Sequence, residues 1–228
     1  MFLKINLIPF ITSVISFTFA FLLLYQFIIR RKIHQLLWTL AIFSYGIASL
    51  MEFLMNPDLL NFNGILFNTF YFNSSLLVGL LGAGQLYLIT QHKISAIFLG
   101  FIITLSIGLI ISLSLTPFPT GLSFLGELGK DIRIISDAYP YSVRIYAILL
   151  ASVGGTMLLF GSLYSFIRDR TRYYTLFFAL GALMPMLRNI PFGYLGNELI
   201  GLIFLFLGFL LSMFHLKSQK IQESSIPS

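Results

Sequence analysis

The sequence contains no cysteine and few charged residues, and both deficits restrict what the protein can be. Without cysteine, the chain has no disulfide, no thiolate metal ligand and no thiol nucleophile. It also lacks the HExxH, GxSxG and paired-carboxylate motifs of hydrolases and a glycine-rich phosphate loop. We therefore expect no catalytic residue, no cofactor and no metal site, and we predict that the protein is not an enzyme.

The shortage of charge points to a membrane. Charged residues make up 10% of the 228 residues, whereas a soluble domain carries about 25%. Hydrophobic residues make up 57%, and the mean hydropathy is +0.92. A globular core of this size does not need so much apolar surface. The composition thus predicts an integral membrane protein whose main partner is the lipid bilayer.

Seven continuous apolar segments approach or exceed the length of about 20 residues that a transmembrane helix requires. Because these segments are continuous rather than alternating, they favour an all-α bundle over a β-barrel. The first is too long for a signal-peptide core and lacks a cleavage site, so we expect it to be retained. The predicted spans are Leu7–Ile29, Ile33–Met55, Ile65–Thr90, Ile94–Leu115, Tyr141–Ile167, Tyr173–Phe192 and Leu195–His215.

The basic residues between these segments predict the orientation. The turns Arg30–Lys32 and Arg168–Arg172, together with Lys93 and the pair Lys217 and Lys220, fall on one side of a seven-span bundle. Cytoplasmic loops are enriched in Lys and Arg, so the amino terminus is predicted outside and the carboxyl terminus in the cytoplasm of a cell. This placement accounts for the net charge of +6 without a nucleic-acid partner.

The expected domain organisation is a single seven-helix domain, residues 1–216, followed by a short polar cytoplasmic tail, residues 217–228. The largest loop, about Thr116–Pro140, is predicted outside. Its leucines and isoleucines have the helical spacing of a short surface helix, which would be either a tether or a lid. Aligning Thr39 with Thr175 also aligns spans one to three with spans five to seven. The fourth span would then link two repeats, a 3+1+3 pseudo-repeat of the kind found in transporters.

Four ionisable residues fall inside the predicted spans, where a charge costs about 2.5–3.5 kcal/mol on insertion scales. They are Glu52, Arg144, Arg188 and Glu198. Successive spans cross the membrane in opposite directions, and the position of each residue along its span places all four at one depth in the outer leaflet. Two acids and two bases at one depth predict ion pairs, with Glu52–Arg188 preferred. Independent extension of Arg144 and Glu198 to the surface is the alternative.

Polar residues recur at helical spacing and rise towards the same outer level. The second span carries Trp38, Tyr45, Ser49, Glu52 and Asn56 on one face; the third carries Asn68, Tyr71, Ser75, Gly82 and Gln85. These faces predict either an outward-opening polar pocket or ordinary hydrogen bonding between helices. The candidate ligand-binding or ion-pair residues are Glu52, Arg188, Arg144, Glu198, Tyr45, Ser49, Asn68 and Tyr71.

Small residues and histidines complete the inventory. Gly79, Gly82 and Gly84 in the third span, and Ala147, Ala151 and Gly155 in the fifth, predict close helix packing, with a dimer face as the alternative. The histidines, His34, His92 and His215, are assigned to the cytoplasmic ends of the second, third and seventh spans. No carboxylate lies near them in sequence and no two share a helix, so we predict that they hold neither a metal nor haem.

Two stretches carry a family resemblance. One runs from Arg30-Arg31-Lys32 through Trp38-Thr39-Leu40-Ala41 to Ser49-Leu50-Met51-Glu52-Phe53, and the other is Leu66–Leu88 with its Gly82-Ala83-Gly84-Gln85-Leu86-Tyr87-Leu88 end. Together they resemble a group of prokaryotic seven-helix membrane proteins of unassigned function. More distantly, they resemble the seven-helix membrane module of sensor histidine kinases, which also has an outside amino terminus. Because no output domain is expected after the seventh span, the resemblance implies that signalling would need a separate partner.

Two classes of function remain open on the sequence. The preferred one is a non-enzymatic membrane protein that acts by binding, either as a sensor-like module or as a subunit of a larger membrane complex with other membrane chains. The alternative is a small secondary transporter with a central polar site. Proteins that purify together with the chain would favour the first class, and a solitary particle with a continuous polar path would favour the second.

Overall fold

The protein is all-α in the part of the chain that the computed structural model describes, which comprises residues 7–56, 59, 63–118, 139–184 and 199–212. Helices α1 to α5 are each long and apolar enough to span a membrane, and α6 and α7 are shorter apolar helices. The prediction of an all-α, multi-pass membrane protein is thus confirmed. The helices are α1 (Ile8–Arg30), α2 (Ile33–Leu54), α3 (Gly64–Ile89), α4 (His92–Leu115), α5 (Tyr141–Arg168), α6 (Tyr174–Leu183) and α7 (Leu199–Ser212).

The first five predicted spans agree closely with α1 to α5, with small differences only at the helix ends. The sixth and seventh predicted spans lie only partly within the described residues, which there cover Tyr174–Leu183 and Leu199–Ser212. The count of seven spans therefore stays a prediction.

Local signals explain where several helices begin and end. Pro9 lies in the first turn of α1, where the missing N–H costs no helical hydrogen bond. The helix ends at Arg31, which adopts a left-handed conformation (φ 50°) and donates its N–H to Phe27 O. The Asn63 side chain caps α3 by accepting a hydrogen bond from Ile65 N at 2.8 Å.

The chain divides into two compact units, Met1–Met157 and Leu158–Ser228. The first unit contains α1 to α4 and the first part of α5. Helices that follow one another along the chain run antiparallel. Gly46 faces the Phe17 ring, Gly84 faces Trp38, and Gly108 faces Tyr146. We call the end of this unit that carries the turns Arg30–Lys32 and Thr90–Gln91 the basic end, and the other end the loop end.

A hydrophobic core cluster of the first unit lies towards the loop end. Its fully buried members come from four helices and from Tyr139, which precedes α5. Because α4 contributes to this core along one face only, it also exposes eight large apolar side chains, six of them isoleucines. The core comprises Ala48, Met55, Phe67, Phe70, Ile102, Leu105, Leu109, Leu113, Tyr139, Val143, Ala147 and Leu150.

Helices α3 and α5 run parallel and meet backbone to backbone at two glycines. A Cβ on Gly82 would lie 2.4 Å from Gly154 O, and a Cβ on Gly154 would lie 2.3 Å from Val78 O. A Cβ on Gly84 would lie 2.3 Å from Trp38 Cδ1, so the indole also needs a glycine. Close packing at the α3 glycines is confirmed.

The packing face of α5 differs from the predicted one. Gly154 makes the contact with α3, and Ala151 is exposed, whereas Ala147 and Gly155 are buried. The prediction that Ala151 belongs to the packing face is therefore wrong. Ala147 and Gly155 are buried as predicted, so Ala151 alone of the three predicted residues falls outside the packed surface of α5.

In the second unit, α6 and α7 pack antiparallel. A Cβ on Gly181 would lie 2.6 Å from Leu205 Cγ, and one on Gly208 would lie 3.0 Å from Phe177 Cβ. The turn before α6 is organised by Asp169, which accepts hydrogen bonds from Thr171 N, Thr171 Oγ1 and Arg172 Nε. These bonds, led by that of the Thr171 hydroxyl, hold the pKa of Asp169 below its usual range.

Candidate polar site

The polar face predicted on α2 is buried in the protein. Glu52 is 2% exposed, and the other four members of the face are also buried. Glu52 lies in the last turn of α2, and an ionisable side chain buried within a candidate span is costly and characteristic of functional sites. The buried members are Trp38, Tyr45, Ser49, Glu52 and Asn56.

Helix register places Glu52 and Arg144 at nearly the same depth. Trp38 on α2 lies level with Gly84 on α3, and equal steps along these antiparallel helices bring Glu52 level with Phe70. Gly154 on α5 lies level with Gly82, and equal steps back along these parallel helices bring Arg144 level with Phe72. With a rise of 1.5 Å per residue, the two charged residues differ in depth by about 3 Å.

Asn68 and Tyr71, two of the predicted site residues on α3, are brought together by Tyr139. The Tyr139 hydroxyl donates a hydrogen bond to Asn68 Oδ1. The Tyr71 and Tyr139 ring centroids are 5.6 Å apart, and the Phe67 ring stacks on Tyr139 at 5.9 Å with an interplanar angle of 12°. Phe118 closes the cluster, with its ring centroid 6.3 Å from that of Tyr139.

This aromatic cluster fixes the chain on both sides of the large loop. Phe118 follows α4 and Tyr139 precedes α5, and both contact the first turns of α3. Burial, with a contribution from the neighbouring Tyr71 phenol, raises the pKa of Tyr139 to about 12. The Tyr139 hydroxyl is therefore protonated, and able to donate to Asn68, throughout the physiological range.

Several predicted features lie outside the described residues. They are Arg188, Glu198, the loop residues 119–138 and His215. The Glu52–Arg188 pair and the 3+1+3 repeat therefore stay predictions.

The described histidines, His34 and His92, lie at the basic end of the first unit, away from Glu52. His34 lies in the first turn of α2 and packs edge-on against Trp38, with 5.6 Å between ring centroids. His92 is the first residue of α4 rather than part of α3, and it packs edge-on against Tyr87 at 5.4 Å. The assignment of His92 to the third span is therefore wrong, because α3 ends at Ile89.

Sequence reasoning missed two sets of polar residues. Tyr139 is absent from the predicted site, although an aromatic residue directly before Pro140 and a predicted span is a usable signal. Gln26 and Gln35 are absent as well: both are buried, and Gln35 Nε2 donates to Gln26 Oε1 at 3.4 Å. The signal for them is two amides placed nearly symmetrically about the Arg30–Lys32 turn, inside segments that are otherwise apolar.

Comparison with protein-family models, with curated proteins and with solved structures finds no match to this chain. The resemblance to seven-helix sensor modules therefore stays a prediction, and what the chain does must be inferred from its own geometry.

Proposed function

We propose that the chain is a non-enzymatic cell-membrane protein that acts by binding, through a polar pocket in the outer half of the bilayer. The proposed topology has seven spans, an outside amino terminus and a cytoplasmic basic end, as the distribution of Lys and Arg favours. The observation that carries the proposal is the carboxylate of Glu52, which is 2% exposed inside a candidate span and shares its buried face with Tyr45 and Ser49.

Other predicted site residues lie at depths in the bundle close to that of the Glu52 carboxylate. Arg144 and Tyr71 lie at nearly the same level as Glu52, and Arg144 is half-buried. Asn68 lies about 3 Å nearer the loop end, where it accepts a hydrogen bond from Tyr139. A carboxylate, a guanidinium, an amide and phenols offer donors and acceptors of both signs. Such a set suits recognition of a polar group, and it contains no nucleophile–base pair of the kind that covalent catalysis needs.

Within this class, a subunit of a larger membrane complex fits best. The described turns are short: α1 and α2 are separated by Arg31 and Lys32, and α3 and α4 by Thr90 and Gln91. They offer a soluble partner little surface at the basic end. Other membrane chains would instead contact the exposed apolar helix faces or the polar pocket.

The test is purification of the tagged chain from its native membrane in mild detergent, followed by native mass spectrometry. We expect other membrane chains at fixed stoichiometry, and we expect Glu52→Gln to weaken their retention. Asp169→Asn is the matched control, because it removes an exposed carboxylate from a turn. A solitary monomer or dimer would contradict the subunit proposal.

The second candidate is a small secondary transporter. The common depth of Glu52 and Arg144 favours it, because transporter sites lie where charged groups meet within the bilayer. Solute flux into liposomes that contain only this chain, abolished by Glu52→Gln, would decide for transport.

A further inference from the structure

A second polar cluster lies at the basic end, away from the proposed pocket. It consists of three glutamines on three consecutive helices: Gln26 on α1, Gln35 on α2 and Gln85 on α3. All three are buried, and Gln85 is 0% exposed. Amides are unexpected in such places, because lipid and apolar side chains cannot satisfy their hydrogen bonds.

The helix register brings these residues to one depth. Gln26 and Gln35 are in contact across the α1–α2 interface. Gln35 lies slightly nearer the basic end than Trp38, and Gln85 lies next to Gly84, the glycine that Trp38 contacts. With a rise of 1.5 Å per residue, Gln35 and Gln85 differ in depth by about 3 Å.

The hydrogen-bonding capacity of the cluster is largely unused within the described residues. Gln26 Nε2 and Gln35 Oε1 make no hydrogen bond, and neither do Gln85 Nε2 and Gln85 Oε1. The unused atoms are thus two donor nitrogens and two acceptor oxygens. Buried amides are nearly always hydrogen-bonded, so these four atoms at similar depth can still bind a hydrogen-bonding ligand.

We propose that Gln26, Gln35 and Gln85 form a binding site for one uncharged molecule that both donates and accepts hydrogen bonds. The balance of donors and acceptors disfavours an anion, which the two carbonyl oxygens would repel. The neighbouring Arg30 and Lys32 disfavour a cation. Water and a small solute of the amide or alcohol type share the required chemistry, and the site is independent of the pocket around Glu52.

The experiment uses the full chain in lipid nanodiscs with ¹⁵N-labelled glutamine side chains. The sequence has six glutamines, so assignment by single substitution is practical. Magnetisation transfer to the side-chain amide protons is measured from water and from the methyl protons of added acetamide. Gln35→Leu is the test variant, and Gln91→Leu is the control, because Gln91 lies in an exposed turn.

We expect the amide protons of Gln26 and Gln85 to receive magnetisation from an occupant, and Gln35→Leu to abolish that transfer while Gln91→Leu preserves it. Transfer from water that acetamide does not displace identifies a water site. Saturable transfer from acetamide, with loss of the water signal, identifies a solute site. Transfer from protein protons alone in the unmodified chain overturns the proposal, whether or not the variants fold.

Discussion

At the scale of single residues, Glu52 is the one charged side chain that is buried among the described residues. A carboxylate that is 2% exposed inside a candidate span has lost nearly all its hydration. The free energy of that burial must be recovered from the surrounding protein, so replacing the carboxylate or its partner affects the whole bundle. The sequence predicts Arg188 as that partner, and Arg144 shares the depth of Glu52.

For the predicted Glu52–Arg188 pair, Glu52→Gln or Arg188→Gln alone should lower the free energy of unfolding by about 3–5 kcal/mol, since each would leave the other charge uncompensated. The double variant should cost less than the sum of the two, because the second substitution removes a charge that has already lost its partner. Reversible unfolding in mixed micelles measures all three. Additive effects of the two substitutions would reject the Glu52–Arg188 pair. The same double-mutant cycle with Arg144→Gln in place of Arg188→Gln tests Arg144 as the partner.

Tyr139→Phe should lower the free energy of unfolding by about 0.5–1.5 kcal/mol, because it removes the hydrogen bond to the partly buried acceptor Asn68 Oδ1. Asn68→Leu with Tyr139→Phe should cost less than the two single changes together. Tyr141→Phe is the control, since Tyr141 is a nearby exposed tyrosine. An equal loss of stability in the control would contradict this account.

The raised pKa of Tyr139 predicts that the stability of the protein falls at alkaline pH. The pKa of its phenol is raised in the folded state to about 12, from an ordinary value of 10.0. The contribution of neutral Tyr139 is therefore complete below pH 10 and is lost as the pH rises from 10 towards 12. Between these values, the fall in unfolding free energy should be shallower in Tyr139→Phe. Parallel curves would show that the phenol titrates normally.

At the scale of helices, the α3–α5 contact depends on glycine. Gly82→Ala should lower the free energy of unfolding by about 1–3 kcal/mol, because its Cβ would lie 2.4 Å from a backbone oxygen that cannot rotate away. Gly100→Ala on α4 is the matched control. Its Cβ would have no neighbour within 4 Å, so higher helix propensity should make it neutral or stabilising by up to about 1 kcal/mol. Equal effects at both sites would contradict backbone contact at Gly82.

The positions of α1 to α5 could be predicted from the sequence because each is a long apolar run interrupted by polar or basic turns. The burial of the α2 face also followed from spacing alone, since Tyr45, Ser49 and Glu52 repeat at helical intervals. What failed was the choice of packing face on α5. A run containing Ala151, Gly154 and Gly155 offers two overlapping small-residue faces, and only the partner helix selects between them.

The candidate site was less accessible to sequence reasoning. Contacts between distant segments, such as Tyr139 with Asn68, depend on how α5 returns against α3, which no local periodicity specifies. The Gln26–Gln35 contact could have been found, because a tight turn forces residues placed symmetrically about it to face each other.

At the scale of the whole molecule, topology is the most direct prediction. The chain has no cysteine, so single introduced cysteines can be labelled without background. In intact cells, an impermeant maleimide should label Leu59→Cys, at the loop end, and should leave Thr171→Cys, in the turn between α5 and α6, unlabelled. Both positions are exposed. Permeabilised cells provide the control, in which both should react, and the reverse pattern in intact cells would reject the orientation.

The α3–α5 contact also has a consequence for biogenesis. Helices α2 and α3 each pack against the preceding helix in the chain. Gly79 and Gly82 on α3, however, contact Gly154 on α5, which is synthesised only after α4 and the large loop. Until α5 has been translated and inserted, a glycine-lined groove on α3 is open to lipid or to the insertion machinery. A nascent chain arrested after α4 should therefore be the intermediate most exposed to quality-control proteolysis, and arrest after α5 should restore resistance.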